Sequence, residues 1–224
     1  MARPTVGLIV PLADGALPPE CAALYGERVR FLGFGLGLER MTPEGYDRVI
    51  GRVGEAARTL AKQGAQAVAL MGTSLSFYQG VAFNERLIDV MRRESGLPAT
   101  TMSEAVIEAL RRHGARKLAL ATAYNAQVNA RLADYLTACG FAPGPIESLA
   151  LEEIGSVHGV APAAILALAL KAAQATPDAD ALLISCGGLR TLEVVAPLER
   201  RLNIPVVTSG IAGLEAAVRL IDPG

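Results

Sequence analysis

The chain has 224 residues, with 21 basic and 22 acidic side chains and a formal charge of −1 at pH 7. This balance excludes a protein that binds nucleic acid through a basic face, and no apolar run approaches the roughly 20 residues of a membrane-spanning helix. Hydrophobic residues make up 51% of the chain and aromatic residues only 4%, which predicts a core of Ala, Leu and Val.

The three cysteines are scattered along the chain, at Cys21, Cys139 and Cys186. Their spacing fits neither a metal site nor a disulfide framework. The apolar run near the start, over 6–10, is too short for a secretory signal. We therefore expect a cytoplasmic protein without a structural metal.

The first half of the chain alternates between strand and helix patterns. A strand is predicted over 5–10, and the Pro- and Gly-rich loop over 12–37, in which 30–34 indicates a second strand, is expected to lie over a site. Thr42, Pro43 and Glu44 are typical of a helix start, and the helix should end at Gly64. The following elements are a strand over 67–71, a helix over 84–93, a strand over 99–101 and a helix that Ser103 caps and that ends near His113.

The second half repeats this alternation. Its predicted elements are a strand over 118–121, a helix ending at Cys139, a strand over 146–149, a helix over 162–175, a buried strand from 181 to Cys186, a helix over 192–202, a strand over 205–207 and a helix over 210–221. Strands and helices that alternate throughout predict an α/β fold with parallel sheets and right-handed crossovers.

Two segments of the first half have partial copies in the second. AVALMGTS at 67–74 corresponds to ALLISCGG at 181–188, and LPATTMS at 97–103 corresponds to IPVVTS at 204–209. Shared α/β design can produce some of these matches, but their common order favours two pseudo-symmetric lobes, over 1–113 and 114–224. Each lobe would be a short parallel sheet flanked by helices, with the active site in the cleft between them. In a variant of this arrangement, the terminal helix packs on the first lobe.

The stretch Ser185-Cys186-Gly187-Gly188 follows a strand that is predicted to be buried on both faces. Ligands bind at the carboxyl ends of such strands, and glycines let backbone N–H groups approach a ligand closely. A helix begins near Thr191, and its amino end favours anions. A thiol beside such donors indicates chemistry on a carboxylate or carbonyl group. The alternative is a buried cysteine next to a turn.

Five segments together resemble one family. They are VP at 10–11, MTPEGYD at 41–47, LMGTSLSFY at 70–78, ALATAY at 119–124 and SCGGL at 185–189. These segments resemble those of the arylmalonate decarboxylases, which belong to the aspartate/glutamate racemase superfamily. Racemases of that superfamily carry one cysteine in each lobe, whereas Gly72 stands at the first of these positions here. One thiol protonates one face of a carbon, so the resemblance implies a decarboxylase with a chiral product.

The resemblance implies loss of CO₂ from an α-aryl or α-alkenyl malonate without a cofactor or a metal. The resulting enediolate would be held in a dioxyanion hole formed by the hydroxyls of Thr73, Ser74 and Tyr124 and the backbone N–H groups of Cys186 and Gly187. Cys186 would then donate the proton. The residues that map to the family's substrate pocket are Pro11, Leu38, Met41, Tyr46, Gly72, Ile154 and Val157.

Two residues depart from the family's pattern, because Leu12 replaces a proline and Met41 replaces a smaller residue. Neither His113 nor His158 is expected to be catalytic. The alternatives are maleate isomerisation, amino-acid or hydantoin racemisation, both of which the missing second cysteine weakens, and carboxylate binding without catalysis. No strand is followed by a G-x-G-x-x-G or P-loop pattern. The expected partner is a small dicarboxylate, with no nucleic acid and no membrane, and the protein is expected to be a monomer.

Overall fold

A computed structural model describes residues 3–221, in which the strands form two parallel four-stranded sheets. The first sheet has the order β2-β1-β3-β4, and its strands are β1 (Thr5–Val10), β2 (Arg30–Gly35), β3 (Ala67–Leu70) and β4 (Ala99–Thr101). The second has the order β6-β5-β7-β8, and its strands are β5 (Lys117–Thr122), β6 (Ala142–Ser148), β7 (Ala181–Ser185) and β8 (Val206–Thr208).

Helices flank both sheets. In chain order they are α1 (Pro19–Tyr25), α2 (Pro43–Ile50), α3 (Val53–Lys62), α4 (Thr73–Phe77), α5 (Val81–Ser95), α6 (Met102–Arg112), α7 (Ala126–Ala138), α8 (Ile154–His158), α9 (Pro162–Ala175), α10 (Leu192–Leu202) and α11 (Ser209–Arg219). Among the described residues 3–221, no helix combines the length and the apolar character that crossing a bilayer requires.

The two sheets have equivalent topology. In each sheet the third strand of the lobe pairs with the first and the fourth, so that Leu70 of β3 lies opposite Ile9 and Thr101. Ile184 of β7 lies opposite Ala121 and Thr208 in the same way. The predicted α/β fold with two pseudo-symmetric parallel sheets is therefore confirmed.

The terminal helix α11 packs against the first sheet. Its Leu214 and Ala217 are buried in a cluster with Val6, Leu8 and Met102, and the helix also contacts α6 and β4. The last helix of the second half therefore contributes to the hydrophobic core of the first lobe. The boundary near residue 113 stays a prediction.

Several predicted elements are wrong in detail. The helix predicted from Thr42 to Gly64 is divided into α2 and α3 at Gly51, because glycine is a poor helix former. The short helices α1, α4 and α8 were not predicted. Ser103 does not cap α6; the Thr101 hydroxyl accepts the hydrogen bond from the Glu104 N–H at 3.1 Å, so the cap lies two residues earlier than expected.

Candidate active site

A cavity of about 120 Å³ lies at the carboxyl ends of the central strands of both sheets. Residues that follow β3, from Met71 to Leu75, line it together with the residues that follow β7, from Cys186 to Gly188. Tyr124, just past β5, and Pro11, just past β1, complete this part of the lining. Because parallel strands place their carboxyl ends at one edge, the two sheets bring these segments to a common space.

Most of the residues predicted to form the site line this cavity. They are the five donors Thr73, Ser74, Tyr124, Cys186 and Gly187, and the pocket residues Pro11, Leu38, Met41, Gly72 and Ile154. Tyr46 and Val157 lie behind the lining. Val157 packs on the backbone of Gly188, with its Cγ1 3.1 Å from the position that a Cβ would take there. Tyr78 donates a hydrogen bond to Asp47 at 2.8 Å and does not line the cavity.

The segment from Gly72 to Ser74, at the start of α4, is held by two buried hydroxyl groups. Ser76 Oγ lies 3.1 Å from the Gly72 carbonyl oxygen and 3.0 Å from that of Thr73. Ser103 Oγ donates to the Thr73 carbonyl at 2.9 Å and lies 2.7 Å from Ser76 Oγ. Buried polar groups that are bonded in this way rigidify their surroundings. The hydroxyls of Thr73 and Ser74 are thereby presented from a fixed backbone.

Tyr124 carries its hydroxyl into the cavity from the second sheet. The hydroxyl lies 3.3 Å from Ser185 Oγ, and the backbone oxygen of Tyr124 accepts a hydrogen bond from the Asn129 amide at 3.0 Å. Burial raises the pKa of Tyr124 well above its ordinary value. The phenol is therefore neutral near pH 7 and is available as a hydrogen-bond donor.

The Tyr46 hydroxyl lies beside Ser74, behind the cavity lining. It is buried and has no hydrogen bond of normal geometry within residues 3–221. Burial raises the pKa of Tyr46 as well. A neutral, unpartnered phenol at this place is suited to donate to Ser74, whose own hydrogen would then be free for a ligand.

Cys186 places a protonated thiol in the cavity. The residue is 5% exposed, and burial raises the pKa of the Cys186 thiol to about 11, although nearby donors at Gly188, Tyr124 and Leu189 favour the thiolate. Near pH 7 the sulfur therefore carries its proton. A thiol of this kind is suited to donate a proton and unsuited to act as a nucleophile.

Two glycines near this thiol have side chains packed closely against them. A Cβ on Gly187 would lie 2.6 Å from both Sδ and Cε of Met102. A Cβ on Gly72 would lie 2.6 Å from Cδ1 of Leu75. A Cβ at either position would therefore require the end of a flexible side chain, that of Leu75 or of Met102, to shift.

The sequence model of the arylmalonate decarboxylase family matches residues 6–224. The chain belongs to the arylmalonate decarboxylase family. It is 49% identical to the arylmalonate decarboxylase of Bordetella bronchiseptica over 223 residues, which are 100% of this chain and 92% of that protein. Membership identifies the protein as a decarboxylase.

Two solved structures are similar to this chain over nearly its full length. A liganded arylmalonate decarboxylase variant, in which a glycine is changed to cysteine and a cysteine to serine, is 48% identical, with a TM-score of 0.96 over 99% of this chain and 94% of that chain. The maleate isomerase of Nocardia farcinica, in a variant with a covalently bound succinylcysteine, is 20% identical, with a TM-score of 0.88 over 99% of this chain and 94% of that chain. The second comparison shows the shared fold.

Sequence reasoning missed three polar residues that line the cavity of this decarboxylase. They are Glu20, which is 6% exposed, and the exposed His158 and Arg190. His158 ends the short helix α8, and its ring lies close to Gly188, with Nε2 3.5 Å from the position of a Cβ there. Arg190 lies between the end of β7 and the start of α10, and this position in the sequence could have predicted that it lies near the site.

Contacts between two segments from different halves of the chain close one side of the cavity. The Met41 N–H donates to the Glu152 carbonyl at 2.6 Å, and the Ile154 N–H donates to the Glu39 carbonyl at 3.0 Å. The Arg40 guanidinium pairs with the Glu152 carboxylate beside these bonds. The apolar side chains of Met41 and Ile154 are thus brought together at the same wall.

Proposed function

We propose that this decarboxylase removes one carboxylate from an α-aryl or α-alkenyl malonate, without a cofactor, and protonates the resulting enediolate on one face. The observation that supports this most directly is the shared cavity. A protonated Cys186 thiol lines it together with the hydroxyls of Thr73 and Tyr124, which come from different sheets. Neutral donors and a neutral acid around one small space fit a reaction that creates negative charge and then needs a proton.

The donors would act on the carboxylate that remains. As the bond to the departing carboxylate breaks, its electron pair moves onto the α-carbon and spreads over the remaining carboxylate as an enediolate. Hydroxyls of Thr73, Ser74 and Tyr124 and backbone N–H groups at Cys186 and Gly187 would carry this charge. Because Ser76 already holds the start of α4, which carries the hydroxyls of Thr73 and Ser74, little reorganisation would accompany the charge transfer.

The departing carboxylate would lie against the apolar wall. Leu38, Met41 and Ile154 line the cavity there, and apolar surroundings disfavour a localised charge. That charge disappears as neutral CO₂ forms. The wall therefore destabilises the bound carboxylate more than it destabilises the transition state.

Cys186 would complete the reaction. Its S–H proton passes to the α-carbon, the thiolate that remains takes a proton from solvent, and CO₂ and a monocarboxylic acid leave. Racemisation or isomerisation by the same fold needs a second group opposite the first thiol, and Gly72 offers none. Protonation by a single thiol would give one enantiomer of the product.

The test is decarboxylation of α-methyl-α-phenylmalonate by metal-free protein, followed by CO₂ release and chiral chromatography of the acid. We expect turnover with one enantiomer in excess. Cys186→Ala should lower kcat by about 10²-fold or more, because a positioned proton donor contributes on this order.

The matched control is Cys139→Ala, which removes a free cysteine at the end of α7 outside the cavity lining. It should retain activity. No turnover of any aryl- or alkenylmalonate by the wild type would contradict the proposed function, and full activity of Cys186→Ala would remove the thiol from the mechanism.

A further inference from the structure

We propose that Met102 is a positioning residue that sets the Thr73 hydroxyl and the Gly187 backbone, one from each half of the chain, at the separation that the enediolate requires. This inference rests on the proposed function and deepens it. Met102 is the first residue of α6, is 1% exposed and does not line the cavity. It acts through its two neighbours and does not touch the substrate.

The first contact is a hydrogen bond to sulfur. The Thr73 hydroxyl donates to Met102 Sδ at 2.9 Å. A thioether is a weak acceptor, whereas a hydrogen bond to a carboxylate oxygen is charge-assisted and stronger. Contact with sulfur therefore holds the Thr73 oxygen in one side-chain rotamer, and the hydroxyl can turn its hydrogen from sulfur to a carboxylate at little cost, so that the oxygen keeps its position in the substrate complex.

The second contact is steric. Both Sδ and Cε of Met102 lie 2.6 Å from the position that a Cβ on Gly187 would take. On another side, Cγ and Cε lie 3.2 and 3.3 Å from the corresponding position on Gly213 of α11. The thioether is thus held between α11 and the loop after β7, and it fills the space that separates Gly187 from Thr73.

A purely space-filling methionine would act differently. Methionine often fills irregular gaps in cores and tolerates replacement by leucine of similar volume. Here the sulfur has a polar partner that the proposed mechanism uses, so removal of sulfur should affect catalysis through Thr73. An effect on catalysis that depends on Thr73 therefore distinguishes a positioning role of Met102 from a purely space-filling role.

The experiment is a double-mutant cycle between Met102→Leu and Thr73→Val. Met102→Leu leaves the Thr73 hydroxyl without its acceptor, and we expect kcat on α-methyl-α-phenylmalonate to fall about 5- to 10-fold with KM within about 2-fold, as for loss of one hydrogen bond. In the Thr73→Val background, the same substitution should change kcat by less than about 2-fold.

The matched control is Met91→Leu, because Met91 is fully buried on α5 and does not line the cavity. It should leave kcat unchanged. If Met102→Leu does not fold, norleucine incorporated by nonsense suppression at position 102 alone, with Met41 and Met71 unchanged, repeats the cycle with an unbranched side chain and either Thr or Val at position 73.

Three outcomes overturn the inference. They are an unchanged kcat in Met102→Leu, an effect that persists in full when Thr73 is replaced by Val, and an unchanged kcat when norleucine replaces Met102 alone. In each case the wild type still decarboxylates the substrate, so only the role of Met102 fails. A wild type that turns over no arylmalonate overturns the proposed function and this inference together.

Discussion

Raising the pH tests whether Cys186 works as a thiol or as a thiolate. Burial raises the pKa of this thiol from its ordinary value of 9.0 to about 11. At pH 9 an ordinary thiol is half ionised, whereas about one in 100 Cys186 side chains would be ionised. Proton donation should therefore continue through pH 9 and decline as the pH rises through about 11.

The assay has two parts. Initial rates of decarboxylation, measured as kcat/KM from pH 7 to pH 11.5, should stay level and then fall on the alkaline side. Iodoacetamide reacts with thiolates, so at pH 8 alkylation of Cys186 should be about 100-fold slower than that of an exposed thiol. Peptide mass spectrometry identifies the alkylated cysteine, and Cys186→Ala supplies the blank.

The same pKa difference affects stability. Between pH 9 and pH 11 the folded protein holds the Cys186 proton while the unfolded chain loses it, so the free energy of unfolding falls as the pH rises through this window. The loss approaches about 3 kcal/mol for a shift of this size. Circular dichroism at each pH separates this effect from the loss of activity. A rate that rises with pH near 8, together with rapid alkylation of Cys186, would refute the reasoning, since both require a thiolate.

Three substitutions test the site further. Gly72→Cys adds a second thiol to the cavity that Cys186 lines, and we expect exchange of the α-proton of the product in D₂O and lower enantiomeric excess; unchanged enantiomeric excess would contradict a facing arrangement. Arg190→Gln removes an exposed cation at the cavity and should raise KM for a malonate dianion about 3- to 10-fold, with a weaker salt dependence of kcat/KM. Ser103→Ala leaves the Thr73 carbonyl with one partner fewer, and urea unfolding should show a loss of about 1–3 kcal/mol; an unchanged midpoint would exclude this anchoring role.

The fold could be predicted where apolar runs and end signals agree. The strands Thr5–Val10 and Ala99–Thr101 and the helix Pro162–Ala175 have the predicted bounds. In contrast, α4 spans five residues, and its sequence carries no amphipathic period of useful length. The hydroxyl of Ser76 in α4 also forms a hydrogen bond with Ser103, which belongs to a separate element, α6. Tertiary contacts of this kind determine whether a short helix forms, and the hydrophobic periodicity of the sequence does not predict such contacts.

The candidate site divides in the same way. Residues just past the central strands, such as Thr73 and Cys186, could be predicted because parallel strands end at one edge of a sheet. Glu20 lies in the short helix α1, Arg190 in the connection between β7 and α10, and Met102 at the start of α6. The sequence holds no signal for the distance between such segments, so their contribution is visible only when the chain is folded.

The pseudo-symmetry of the fold explains how a site of this kind becomes one-sided. β3 and β7 are equivalent strands, and Gly72 occupies in the first lobe the place that Cys186 occupies in the second. Beyond those positions the lobes differ, because the first presents hydroxyls from Thr73 and Ser74 while the second presents backbone at Gly187. Under the proposed mechanism, the first half would supply the hydroxyls of Thr73 and Ser74, and the second half would supply the Tyr124 hydroxyl and the proton of Cys186. An equivalent pair of thiols would serve exchange on both faces of a carbon, whereas a single thiol would deliver a proton from one side only.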